Sequence, residues 1–253
     1  MILRLMTWNL GKNKPYGSQG TALDLACDWI KRQPSAPKVI AFQECTDPGE
    51  IEQNLAPGPI HVYSQGTICL ASTLALSCIE KQSRFIAGKA NLEGQEISFI
   101  SYHGTDRKSL PDETARGGQA SEYRWIIDDY VRMGNAVIMG DFNSTPESME
   151  IQGRWCLSFA SKNGDAHDSS HKRQRGILRT IRATGNIGTY YWKNPPGGLD
   201  PYWITFDFFV VSDALSKKIK CENRVHLGST KLVEGIERPA FSDHLPVLGK
   251  LEF

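Results

Sequence analysis

Six short stretches of this chain end in side chains that could cleave a phosphate ester. Asn9 closes "TWN", Glu44 follows Gln43 in "AFQE", and His103 follows an aromatic, β-branched run in "FISYHG". Asp141 and Asn143 stand two apart in "MGDFN", Asp207 lies between Phe206 and Phe208, and Asp243 and His244 precede Pro246. Taken singly, each has an ordinary explanation: an Asn after a strand suits a turn, and a lone acid or imidazole suits a loop. Together they form a chemical set. Carboxylates and an amide oxygen are hard ligands that suit Mg²⁺ or Mn²⁺. Phosphodiester hydrolysis also needs a positioned water and a proton donor for the leaving oxygen. Asp207 is the most suggestive single residue. Strand alternation points it away from both phenylalanines, and a carboxylate inside such a strand needs a partner such as an imidazole.

These residues must be held by strands. Apolar β-branched and aromatic runs recur along the chain: "LRLMTWNL", "KVIAFQEC", "HVYSQGTICLAS", "EISFISYHG", "NAVIMGDFN", "ITFDFFVVS" and "HLPVLGKLEF". Each reads as a strand. Two segments have helical spacing instead. "TALDLACDWIKRQ" puts Leu23, Cys27 and Ile30 on one face, and "ASEYRWIIDDYVRMG" does so with Trp125, Ile126, Tyr130 and Met133 before a stop at Gly134. There is no linker, repeat or low-complexity tract, so the expectation is one domain over residues 1–253.

The totals set bounds. With 253 residues and a net charge of +1, the chain can bury a sizeable core and is not globally basic. Its six cysteines include no C-x-x-C pair, which argues against a zinc site and for reduced core thiols. The longest apolar run, "TICLASTLALSCI", is too short and polar to span a membrane. No secretory signal is visible, and the expected location is cytoplasmic. One segment concentrates positive charge. "SHKRQRGILRTIRATGN" carries Lys172, Arg173, Arg175, Arg179 and Arg182 between the Asn143 and Asp207 motifs. The aromatic stretch "GTYYWKNPPGGLDPYW", containing Tyr190, follows it closely.

In order along the chain, "TWNLG", "AFQE", "SYHGT", "GDFNSTP", "FDFFVVS" and "FSDHLPV" resemble the motifs of the endonuclease/exonuclease/phosphatase superfamily, from Thr7 to Val247. The resemblance implies a DNase I-like α/β (α+β) fold: a four-layer αββα sandwich of two mostly antiparallel sheets flanked by helices, with the site at one end. It implies that Glu44 is the principal Mg²⁺ or Mn²⁺ ligand, with Asn9 beside it and Asp243 contributing. It further implies that Asp141 orients or deprotonates water and Asn143 holds that water or the phosphate. By the same resemblance, Asp207 fixes His244 against the phosphoryl oxygens, and His103 stabilises the pentacovalent phosphate or protonates the leaving group.

The superfamily includes nucleases, sphingomyelinases and inositol polyphosphate phosphatases. The last carry a basic residue after the Asp that matches Asp207, whereas this chain has Phe208. Basic residues beside stackable rings suit a polyanionic strand, so Arg173, Arg175 and Tyr190 are expected to bind substrate. The sequence reads as a metal-dependent nuclease acting on DNA or RNA. The alternative is a phosphatase or phosphodiesterase on a small phosphorylated or lipid substrate. A non-catalytic binding module would have no need of the complete ligand and histidine set.

Overall fold

The computed structural model describes residues 1–13, 20–33, 35–55, 60–105, 126, 130, 134–145, 178–181, 188–193, 200–223, 226–227, 229–234 and 238–253. In chain order the elements are β1 (Ile2–Asn9), α1 (Ala22–Arg32), β2 (Val39–Gln43), α2 (Pro48–Leu55), β3 (His61–Gln65), β4 (Ile68–Ser72), β5 (Ser77–Lys81), β6 (Phe85–Leu92) and β7 (Gln95–His103). There follow β8 (Asn135–Asp141), β9 (Leu178–Ile181), β10 (Tyr190–Trp192), β11 (Tyr202–Ile204), β12 (Asp207–Ser212), α3 (Asp213–Ser216) and β13 (Ile219–Asn223). Two small ladders, β14 (His226–Leu227) with β15 (Thr230–Lys231) and β16 (Val233–Glu234) with β17 (Arg238–Pro239), lead to β18 (Val247–Glu252).

Two six-stranded sheets form the body. One has the order β13-β18-β1-β2-β4-β3, the other β5-β6-β7-β8-β12-β9. Each is antiparallel except at one pair, β1 with β2 and β7 with β8. The facing sides are apolar by alternation: Leu3, Leu5, Val39, Ala41, Phe99, Val137, Phe209 and Leu251 belong to the cluster between the sheets. Met6, Trp8, Ile40 and Phe42 point the other way and pack under α1 and α2. Helix α1 begins in a capping box. Thr21 Oγ1 accepts from Asp24 N at 3.1 Å, and Asp24 Oδ2 accepts from Thr21 N at 2.9 Å. The helix buries Leu23, Cys27 and Ile30, as the spacing predicts. On the outer face of the second sheet, Ile126 and Tyr130 pack on Phe85, Ile138 and Phe208; the rest of the expected helix around them lies outside the described residues.

Several elements differ from the sequence reading. The run "HVYSQGTICLAS" is a hairpin rather than one strand, turned at Gly66 with φ +57°. The run "ITFDFFVVS" is broken at Thr205–Phe206 into β11 and β12, which belong to different sheets. Strand β6 has little β-branched content, yet pairs with β7 over its whole length. Cys27, Cys45, Cys69 and Cys221 are buried, but Cys78 is exposed; Cys156 lies outside the described residues. Burial pushes the Cys27 thiol up to about 12. Brief iodoacetamide treatment of the native protein is therefore expected to alkylate Cys78 and spare Cys27, as read by peptide mass spectrometry. Equal labelling would contradict this packing.

The strand ends matter most for the site. In the parallel pairs, Asn9 stands beside Gln43 and His103 beside Asp141, while β12 enters antiparallel with Asp207 opposite Asp141. Polar ends from both sheets therefore converge at one end of the sandwich. Gly140 permits this: a Cβ there would lie 1.8 Å from the Tyr102 carbonyl oxygen. Gly140→Ala is expected to cost roughly 2–4 kcal/mol in urea unfolding, through forced separation of β7 and β8. A change below about 0.5 kcal/mol would show that the strands part freely there.

Candidate active site

Asn9 joins the two sheets at their ends. Its Nδ2 donates to Asp141 Oδ2 at 2.8 Å and more weakly to Glu44 Oε1 at 3.5 Å, and its Oδ1 accepts from Gly11 N at 3.0 Å. The contact differs from that of an oxygen ligand: here the amide bridges two carboxylates. Asp141 is buried, and its Oδ1 accepts from Asn143 N at 2.7 Å. Asn143 Nδ2 donates to the Gly104 carbonyl at 2.9 Å, which holds the loop after β8 against the loop after β7. Glu44 and Asn143 both have positive φ, +54° and +48°. Residues held in this region cluster where the surroundings over-determine the backbone, as at active sites.

Two histidines flank Asp141. His103 Nε2 lies 3.8 Å from Asp141 Oδ2 and 4.0 Å from Glu44 Oε1. His244 Nε2 lies 3.7 Å from Asp141 Oδ2, and its Nδ1 is 2.8 Å from Asp207 Oδ2. Their electrostatics diverge. Burial lowers the pKa of His103 despite the pull of Asp141 and Glu44. Burial also disfavours His244⁺, but the Asp207 and Asp141 carboxylates outweigh it and raise His244 to about 10. The proton of the Asp207–His244 pair thus resides on the imidazole.

The last loop is fastened to β1. Ser242 Oγ donates to Asn9 O at 2.8 Å and accepts from His244 N at 3.1 Å, and Trp8 Nε1 donates to His244 O at 2.9 Å. Asp243 is exposed and lines the same cavity of about 590 Å³ as Glu44, His103, Asp141, Asn143 and His244. Asn9, Glu44, His103, Asp141, Asn143, Asp207, Asp243 and His244 therefore border it or support it from behind. Tyr190 also lines it, with its ring 4.7 Å from that of His244 and stacked on Phe206 at 5.1 Å. Arg173 and Arg175 lie outside the described residues. Trp192 from the aromatic stretch and Phe241 from "FSDHLPV" line the cavity as well, as do Lys12 and Arg84, which were not found by sequence reasoning. Only the neighbourhood of Lys12 to "TWNLG" hinted at it. Arg84 sits before β6 in a stretch with no chemical signature.

The oxygen-rich rim fits a hard divalent cation: Glu44 and Asp243 bring carboxylates, and Asp141 stands between them and the histidines. Asp141, Asp207 and His244 also have ligand atoms within 4.8 Å of one another. The 2.8 Å contact between Asp207 and Nδ1 makes that trio an ion pair facing a second carboxylate rather than a metal cage.

Two mixed sheets packed face to face, with such a site where their strand ends meet, define a DNase I-like α+β sandwich. The sequence profile of the Endonuclease/Exonuclease/phosphatase family matches residues 6–244, and the chain belongs to that family. Solved structures share the fold at low identity. An endonuclease/exonuclease/phosphatase family protein from Leptotrichia buccalis superposes with a TM-score of 0.64 at 14% identity, over 99% of this chain and 100% of that one. Beta toxin from Staphylococcus aureus gives 0.65 at 14%, over 98% and 99%. An AP endonuclease from Archaeoglobus fulgidus gives 0.62 at 16%, over 99% and 100%. No curated protein sequence matches the chain.

Proposed function

We propose that the chain, as a single catalytic domain over residues 1–253, is a cytoplasmic divalent-metal-dependent nuclease. The observation that carries this reading is the convergence on Asp141 of Asn9, Asn143, His103 and the Asp207–His244 pair at the mouth of one cavity. Bound Mg²⁺ or Mn²⁺, held by Glu44 and Asp243 with Asn9 beside them, would neutralise charge growing on the phosphoryl oxygens. Asp141 orients the attacking water and accepts its proton, being the carboxylate that the Asn9 side-chain amide and the Asn143 backbone N–H hold in place. Asn143 positions that water or the phosphate. His244, already protonated, faces the phosphoryl oxygens with Nε2 while Asp207 fixes Nδ1. His103 completes the wall opposite, where it would stabilise the pentacovalent phosphate or give a proton to the leaving oxygen as it departs.

Nucleic acid is favoured over a smaller substrate by the aromatic wall. Tyr190, Trp192 and Phe206 form a continuous set of rings beside His244, with centroid separations of 5.1 to 6.5 Å. Such a wall offers a stacking surface to a base next to the scissile phosphate. The alternative, a phosphatase or phosphodiesterase on a small or lipid substrate, places no premium on a base. The deciding experiment incubates the protein with plasmid, single-stranded DNA, RNA, phosphoinositides and sphingomyelin, each with Mg²⁺ and with EDTA. Metal-dependent cleavage confined to the nucleic acids is expected. Turnover of only the lipid or inositol substrates would favour the alternative, and none in any arm would favour a binding module.

A further inference from the structure

One buried side-chain polar atom among the described residues has no hydrogen-bond partner: Oδ1 of Asp207. A buried carboxylate oxygen left bare is costly and needs an explanation. Its sister oxygen, Oδ2, is paired with His244 Nδ1 at 2.8 Å. The side chain hydrogen-bonded to the backbone N–H of Asp207 is that of Thr189, which is itself 1% exposed. Thr189 Oγ1 accepts from Phe206 N at 3.0 Å and from Asp207 N at 2.9 Å. Those two bonds fill its lone pairs and leave its own proton to be given away. A hydroxyl proton rotates to suit its acceptor, and the bare Oδ1 belongs to the residue whose N–H this hydroxyl already accepts.

The main chain of Thr189 explains why this side chain is where it is. Its N–H donates to Ile204 O at 2.9 Å, and its carbonyl accepts from Leu245 N at 2.7 Å. Tyr190 bridges His244 directly, and Tyr191 N donates to Asp243 O at 2.7 Å. Thr189 is therefore clamped between the end of β11, which leads into Asp207, and the loop that carries His244.

We infer that the Thr189 hydroxyl donates to Oδ1 of Asp207 and is a positioning residue for the Asp207–His244 pair. With both carboxylate oxygens held, Asp207 cannot rotate about its side-chain bonds, Oδ2 stays aimed at Nδ1, and Nε2 of His244 stays aimed into the cavity. The inference rests on the catalytic reading above for its effect on turnover, though not for its geometry.

The test compares Thr189→Val, which removes the hydroxyl at nearly constant volume, with Thr189→Ser, which restores it. Hydrolysis of bis(p-nitrophenyl) phosphate with Mg²⁺ gives kcat and KM separately. Thr189→Val is expected to lose about tenfold or more in kcat with KM within about twofold, and Thr189→Ser to stay within about threefold of the parent. In an Asp207→Asn background, Thr189→Val should lower kcat no further. A second readout needs no turnover. The low-field Nδ1–H resonance of His244 in the metal-free protein, assigned by its loss in His244→Gln, should persist in Thr189→Ser and shift or vanish in Thr189→Val. An unchanged kcat and resonance in Thr189→Val, or a Thr189→Ser protein as impaired as Thr189→Val, overturns the inference. If the parent cleaves no phosphodiester but the resonances follow the expected pattern, the proposed function fails and the placement of Thr189 stands.

Discussion

Glu44→Gln is expected to lose at least about a thousandfold in kcat with Mg²⁺ while the thermal midpoint holds or rises. The substitution keeps the volume and an oxygen that can still accept from Asn9, whose Nδ2 lies 3.5 Å from Glu44 Oε1. What it removes is the charge. A neutral amide oxygen is a much weaker ligand for a hard cation than a carboxylate, and Glu44 is the acid at the cavity mouth that Asn9 links to Asp141. Stability should not suffer, since metal-free Glu44 and Asp141 share one donor and repel each other. Initial rates over a Mg²⁺ titration, with a parallel thermal melt, check both halves. Near-normal turnover in Glu44→Gln would remove this residue from metal binding.

Asp207→Asn is expected to lower kcat by about 10²–10⁴-fold, and His244→Ala by a similar factor. Asp207 is fully buried and touches no part of the cavity's open surface, so it acts through His244 alone. The two losses should then overlap: Asp207→Asn in a His244→Ala background adds little, as expected for residues that act as a unit. The direction of the electrostatics supports this. Two carboxylates hold the proton on His244, and an amide at position 207 removes one of them while offering Nδ1 a weaker acceptor. Rates for the two single variants and the double variant on the same phosphodiester settle it. Fully additive losses would mean that the residues work separately.

The site residues were legible because each sits where an apolar strand gives way to a polar end. Asn9, His103 and Asp141 close the two parallel pairs and Glu44 directly follows one, and the apolar run before each made the change of character visible. Asp207 was legible for a second reason, since alternation in "FDFF" leaves a carboxylate pointing away from two rings. The supporting contacts were not legible. Ser242 reaches Asn9 across 233 positions and Trp8 reaches the His244 carbonyl across 236, and no local pattern encodes such pairs. The positive φ of Glu44 and Asn143 was equally hidden, because neither is glycine and both conformations are imposed by neighbours. Strand boundaries failed where one apolar run serves two sheets, as at Thr205–Phe206, or folds back on itself at Gly66.

The central claim is that this chain cleaves a phosphodiester with a divalent cation at the junction of its two sheets. The most direct test is conversion of supercoiled plasmid by the purified protein in Mg²⁺, in EDTA, and in EDTA followed by excess Mg²⁺, with Glu44→Gln as the matched control. The account predicts cleavage in Mg²⁺, none in EDTA, recovery on adding Mg²⁺ back, and almost none with Glu44→Gln under any condition. Cleavage that persists in EDTA, or that Glu44→Gln retains in full, would contradict it.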